Sequence, residues 1–276
     1  MNYSGRKQFI LKYASKDELG LEIAPYHNPI APKRDGWNCL SLDFFDEDKL
    51  RQNASLDGDP NVRKNVDNIE KVDIVASATD LEEELFKIGL LGRFDYMCSS
   101  HNFEHLPDPL KFLRGAGAAL KPNGYLSMAI PNKRHTFDYS RALTSTKDIL
   151  RFYFEKQTRP DAYTIFDGSS SFVDNPEGAV RYRNDLQKTY QQLISSIGKD
   201  KEYVDAHVTV YTPESFIHIM NDLMILNLIP FEIKDLRVAG VEFIVHFENV
   251  GHSKIGATND KFIARRESLV KKSFKS

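Results

Sequence analysis

The sequence predicts an α/β fold: an open, mostly parallel sheet, closed by an antiparallel hairpin and interrupted by an inserted cap. Three observations predict it. Short apolar runs alternate with helix-patterned segments from Leu21 to Pro131, the order that builds parallel strands through crossover connections. The second run, Cys39-Leu40-Ser41-Leu42-Asp43, closes on an acid about 20 residues beyond the first, the spacing at which such sheets offer a carboxylate to ribose hydroxyls. Further on, apolar runs at Phe231–Val238 and Val241–Glu248 flank Ala239-Gly240, a hairpin signature.

Each element has a local reason. Leu21-Glu22-Ile23 is a buried strand, and Ala24-Pro25-Tyr26-His27-Asn28-Pro29 is the turn after it. Glycine usually stands in such a turn. Ala24 and Pro25 make it stiffer and remove one backbone N–H, which suits a ligand without a pyrophosphate. Pro29 and Pro32 shorten or displace the helix that normally follows. Phe44–Asn53 is helical in pattern, and Asn53–Asn65, with Asp57-Gly58-Asp59-Pro60, is a loop. Val72-Asp73-Ile74-Val75 is the third strand, Thr79-Asp80 caps a helix, and Phe94–Ser100 is the fourth strand. Pro109–Leu120 is a helix with Leu110, Phe112, Leu113 and Leu120 along one side. In Lys121-Pro122-Asn123-Gly124 the Asn accepts left-handed φ, and Tyr125–Pro131 is the fifth strand. Thr212-Pro213 starts a helix that runs to about Leu226.

The expected units are residues 1–131 and 208–250 as the sheet core, 132–207 as a cap or substrate region, and 251–276 as a basic tail. The cap segment is polar, with helical pieces at Lys147–Lys156 and Tyr182–Ile197. In the tail, Lys261–Ser276 mixes cations with Phe262, Ile263, Leu269 and Val270. A solvated, frayed helix is the plain reading, and weak contact with an anionic membrane surface or a protein is the other.

Composition narrows the classes. The 276 residues, 41% hydrophobic and 28% charged, suffice to fill one large core or two small ones. A net charge of −2 argues against nucleic acid as a partner held by general electrostatics. Cys39 and Cys98 lie in apolar strand-like runs, as core thiols of a reducing compartment do. No secretory pattern or bilayer-long apolar run is present, so the expectation is a soluble cytoplasmic protein.

A set of motifs carries a resemblance. Leu21-Glu22-Ile23-Ala24-Pro25 with Asn28-Pro29 comes first, then Phe94-Asp95-Tyr96 and Ser99-Ser100-His101. Glu104-His105-Leu106-Pro107-Asp108, Leu120-Lys121-Pro122-Asn123-Gly124 and Ala129-Ile130-Pro131-Asn132-Lys133-Arg134 complete it. With these the chain resembles the class I S-adenosylmethionine-dependent methyltransferases. The closest branch is the methyltransferase-domain group met in bacterial surface-polysaccharide gene clusters. The likeness spans roughly Glu18–Thr144 and Val208–Glu248. It departs at Ala24, where the branch carries glycine and a methyl crowds the cofactor's methionine part.

The resemblance implies a Rossmann-like sheet, S-adenosylmethionine as cofactor, and a small-molecule or glycan acceptor. The cofactor-binding set is then Glu22, Ala24, Pro25, Asn28, Asp43, Asp73, Ile74, Ser99 and Ser100. Asp43 takes the ribose hydroxyls, Asp73 the adenine amino group, and Ile74 lies on the ring. Glu22 fixes the first turn or meets the ammonium through water. Asp43 and Asp73 as helix caps are the alternative. His101, directly after the fourth strand, is the candidate general base, and a hydrogen-bonded core histidine is the competing reading. His105 reads as structural. Lys133, Arg134, His135, Arg181 and Tyr182 are candidates for gripping an anionic sugar. No metal is expected, since His101 and His105 show no third ligand in sequence. Two function classes remain: O-methylation of a sugar or glycan-precursor hydroxyl, or a degenerate fold that serves as a binding or assembly module in glycan synthesis. The Asn-Pro-Pro-aromatic run of nucleic-acid methylases is absent after the fourth strand.

Overall fold

The sheet grows in both directions from β1 (Gly20–Ile23). On one side it pairs in parallel with β2 (Cys39–Asp43), which pairs with the short β3 (Ile74–Val75). On the other it pairs in parallel with β4 (Phe94–Ser100), and β4 with β5 (Leu120–Pro131). A separate two-stranded hairpin joins β6 (Val173–Asp174) and β7 (Arg181–Tyr182). β8 (Phe231–Ala239) and β9 (Glu242–Asn249) close the main sheet antiparallel, with β9 inserted next to β5. The order β3-β2-β1-β4-β5-β9-β8 is the predicted Rossmann-like, mostly parallel sheet with its closing hairpin. This computed structural model describes residues 3–174, 177–198, 203–257 and 259–273. Predicted features at residues 1, 2, 175, 176, 199–202, 258 and 274–276 lie outside the described residues.

Alternation along the strands divides the core between two faces. Met97, Met128 and Val245 face one way, with Leu81, Leu85, Leu110, Phe112, Phe216 and Leu223. Their neighbours Cys98, Ala129 and Ile244 face the other way, with Ile10 and Ile30. Each buried side chain of this size stabilises the fold by roughly 1.5–3 kcal/mol before entropy is subtracted. Both cysteines are buried free thiols.

Eleven helices surround the sheet among the described residues. α1 (Tyr3–Ile10) has no clear sequence signature and went unpredicted, yet it covers the reverse face near β9 and β5. α2 (Glu47–Ser55) is capped by Asp46, and α3 (Pro60–Lys64) occupies part of the predicted loop, capped by Asp59 with Pro60 first inside. α4 (Leu81–Lys87) and α5 (Pro109–Ala119) pack together on the sheet, α5 starting at an Asp108 cap. α6 (Thr146–Phe154) lies in the expected cap segment but buries Ile149 in the main core against α5 and α9. α7 (Ala162–Ser170) and α8 (Leu186–Ser196) pack on each other outside it. α9 (Pro213–Ile225) has Thr212 as its cap and Pro213 first inside, as predicted, and Ser215 returns a bond to the Thr212 backbone. α10 (His252–Ala257) and α11 (Asn259–Ser273) form the tail. The frayed-helix expectation needs correction: α11 buries Phe262 against α9, Asn221 donates to the Phe262 carbonyl at 2.7 Å, and Arg266 pairs with Asp222 at 2.6 Å. No helix among the described residues is long and apolar enough to cross a membrane.

Candidate active site

Parallel strands end together, so the turns after β1, β2 and β4 meet at one edge of the sheet. Glu22 is engaged there by the first turn itself. Its buried carboxylate accepts the Ile30 N–H at 2.6 Å and the Ala31 N–H at 2.9 Å, and so ties the far end of the first turn back to β1. Burial pushes this carboxyl up to about 7, against the two backbone donors that draw it down. Within the turn Ala24 has φ 51° and Tyr26 φ 45°. Asn28 N–H donates to the Pro25 carbonyl at 3.1 Å, which closes the turn on itself.

Asp43 ends β2 at the same edge and is not a helix cap, since Asp46 does that for α2. It is 6% exposed, and the Phe45 N–H approaches its Oδ1 at 3.4 Å. Burial raises the carboxyl to about 6, offset in part by the amides of Phe45, Phe44 and Tyr26. These amides are the partners of the buried carboxylate, and an ionised carboxylate with about four lone-pair sites can accept further donors beside them. Asp73 and Ile74 need correction. Only Ile74–Val75 form the third strand, so Asp73 lies before it. Asp73 accepts the Ser41 N–H at 2.8 Å and pairs with Lys33, while Ile74 is buried in the main core. Val75, which is exposed, is the apolar residue that β3 offers at the edge. On β4, buried Ser99 has a hydroxyl without a hydrogen-bond partner among the described residues. Ser100 Oγ is instead occupied by Arg6 at 2.6 Å.

Beyond β4 the chain enters a strained corner at His101, φ 51°. His101 Nε2 lies 2.9 Å from Glu242 Oε2, and Arg6 grips the same carboxylate through Nε and Nη2 at 2.6 and 2.8 Å. Burial works to raise the Glu242 carboxyl, but the bonds and charges of His101 and Arg6 outweigh it and hold it near 2, fully ionised. A 3₁₀ turn, Phe103–His105, follows, anchored by fully buried Phe103. The Glu104 carbonyl accepts the N–H groups of Val208 at 2.7 Å and Thr209 at 3.1 Å, which sets His207 beside His105. Their rings meet edge to face at 4.7 Å. An open cavity of about 450 Å³ lies over this group, lined also by His135, Phe137, Phe172 and Arg183. A larger one, about 570 Å³, lies between α7 and α8, and no strand-end residue lines it.

The proposed acceptor-gripping residues divide. His135 lines the cavity and is held by Glu177 at 2.6 Å. Lys133 is spent on the Arg141 carbonyl, and Arg134 on Glu214 at 2.9 Å. Arg181 and Tyr182 are exposed on β7 and do not line the cavity, a correction to their assignment. The next residue, Arg183, does line it, stacked at 4.3 Å over Phe172, which in turn stacks on Phe137 at 4.6 Å.

Residues 7–223 match the family described as Methyltransferase domain. The chain belongs to that family. It is a methyltransferase, and S-adenosylmethionine is its methyl donor. A S-adenosylmethionine-dependent methyltransferase of Methanosarcina mazei is 16% identical, covering 88% of this chain and 97% of that one at a TM-score of 0.46. One from Mesorhizobium loti is 11% identical, with 88% and 96% covered, again at 0.46. An O-methyltransferase family protein of Burkholderia thailandensis is 9% identical, with 90% and 56% covered, at 0.43. A comparison with curated protein sequences gave no match.

The methyltransferase has a strand-end edge that fits its donor. Asp43 presents its carboxylate at this edge, and the Ser99 hydroxyl, without a hydrogen-bond partner among the described residues, lies beside the end of β1. Ala24 adopts the left-handed backbone region that glycine enters without a steric penalty. That conformation costs an L-residue about 1–2 kcal/mol, part of which Gly returns as greater freedom of the unfolded chain. Ala24→Gly is therefore expected to raise Tm slightly, by up to about 1 kcal/mol of stability, and to leave S-adenosylhomocysteine affinity equal or tighter. Thermal melts and calorimetric titration of the variant check both, and a clear loss of either counts against the strained-turn account. Sequence reasoning missed Arg6 and Glu242, because nothing local marks residues that meet across 236 positions.

Proposed function

We propose that this methyltransferase O-methylates a hydroxyl of a sugar or glycan precursor. The observation that carries the reading is His101, aimed by an ionised Glu242 at the floor of a cavity beside the strand ends. Glu242 accepts from Nε2–H, which leaves Nδ1 as the basic nitrogen. An imidazole so held can take the proton of a hydroxyl as it becomes a nucleophile, and amine acceptors have less need of it. When bound, S-adenosylmethionine supplies an electrophilic methyl group on a sulfonium. Phe137 and Phe172 give the wall an apolar face, and Arg183 and His135 give donors at its rim, the mixture that a sugar ring with polar substituents calls for.

Incubation with S-adenosylmethionine and a panel of nucleotide-activated sugars and short glycans tests this by mass spectrometry. Methyl ethers on a sugar hydroxyl are the expected products. Transfer to amines alone, with every hydroxyl acceptor refused, overturns it.

A further inference from the structure

We infer that Glu104, His105 and His207 form a binding site for a single divalent transition-metal ion of the zinc type, at the floor of the acceptor cavity. Ligand atoms of the three residues lie within 4.8 Å of one another. Glu104 is 1% exposed, and both its carboxylate oxygens lack a hydrogen-bond partner among the described residues. A buried, unpaired carboxylate is costly unless something positive belongs beside it.

The histidines are arranged around that carboxylate. His105 Nε2 is 3.9 Å and His207 Nε2 4.0 Å from Glu104 Oε1. Those gaps are too long for hydrogen bonds, which would close to about 2.8 Å. Tetrahedral ligands with bonds of about 2.0–2.2 Å stand about 3.3–3.6 Å apart, so each imidazole closes by a few tenths of an ångström on an ion held between them. The outer nitrogens are already engaged. His105 Nδ1 bonds to Asp205 at 2.8 Å, and His207 Nδ1 to Asp138 at 2.5 Å, itself held by Arg141 at 2.8 Å. A carboxylate on the far nitrogen fixes the tautomer and turns the near nitrogen toward a metal. Two imidazoles and one carboxylate suit zinc and its first-row neighbours, whereas magnesium and calcium prefer oxygen alone.

Three protein ligands leave a position open, and the cavity lies on that side. His101 Nδ1 stands 3.6 Å from the same Glu104 oxygen, next to the ion's place. The role of the site rests on the hydroxyl-methylation reading: the ion binds the acceptor oxygen, lowers the pKa of its hydroxyl, and presents the proton to His101.

Full-length protein stripped with a chelator is titrated with Co²⁺ and then Zn²⁺, in parallel with S-adenosylhomocysteine. One Co²⁺ per chain with visible ligand-field absorption, displaced by Zn²⁺, is expected. Glu104→Gln and His207→Gln should weaken binding by more than about 100-fold. Asp205→Asn, which alters the partner of His105 Nδ1 and of the Tyr203 hydroxyl without removing a ligand atom, should weaken it by roughly 10–100-fold. Far-ultraviolet spectra and melts confirm that each variant is folded. Absence of stoichiometric metal binding by the unaltered protein overturns the site, even if S-adenosylhomocysteine binds. Metal binding without S-adenosylhomocysteine binding leaves the site standing and counts against the donor assignment instead.

Discussion

His101→Gln is expected to slow methyl transfer by roughly 10²–10⁴-fold, the range that a positioned base supplies. Glutamine keeps a donor for Glu242 but has no basic nitrogen. Binding of S-adenosylhomocysteine should be unchanged, because Asp43 and Ser99 remain at the strand ends. Single-turnover rates with a hydroxyl acceptor, beside calorimetric titration, separate the two quantities. A variant that transfers methyl groups at the parent rate removes His101 from the chemistry. Parallel loss of donor affinity would assign it to binding instead.

Asp43→Ala is expected to weaken S-adenosylhomocysteine binding by about 3 kcal/mol, or roughly 100-fold in Kd, the combined worth of two hydroxyls donating to one ionised acceptor. The same carboxyl predicts a pH dependence. Its value of about 6 in the free protein exceeds that of an unfolded aspartate, so the folded state holds the proton longer. Stability contributed by this group is therefore lost as pH rises from about 4 through 6. Donor affinity runs the opposite way, because ribose hydroxyls favour the ionised form. Affinity is highest above about pH 7 and falls as pH drops below 6. Asp43→Ala should flatten that fall and melt no lower than the parent at pH 7. Titrations at pH 5, 6 and 7.5 decide it, and an identical pH slope in both proteins sinks the assignment.

The parts of the molecule governed by local rules were legible in advance. The Thr212 cap, the left-handed Asn123 at φ 65°, and Asp43 at the end of β2 each follow from a few neighbouring residues. Misreadings arose where tertiary contacts decide. Asp73 looks like the end of a strand by pattern, but Ser41 and Lys33 capture it before the strand begins. The contacts of His105 escape local pattern for the same reason, because a backbone bridge from Val208 to Glu104 brings Asp205 and His207 alongside it. Arg181 and Arg183 are indistinguishable in sequence, and the register of a short hairpin, which sets Arg181 opposite Asp174 and Arg183 opposite Phe172, decides which one meets the ring.

The grip of Arg6 on Glu242 ties α1 to the final strand of the sheet. During synthesis, His101 emerges long before β9, and until that strand inserts beside β5 the imidazole has nothing to aim it. The bond that fixes this corner joins residues 141 positions apart, so the corner after β4 takes its final form only once β9 has docked beside β5.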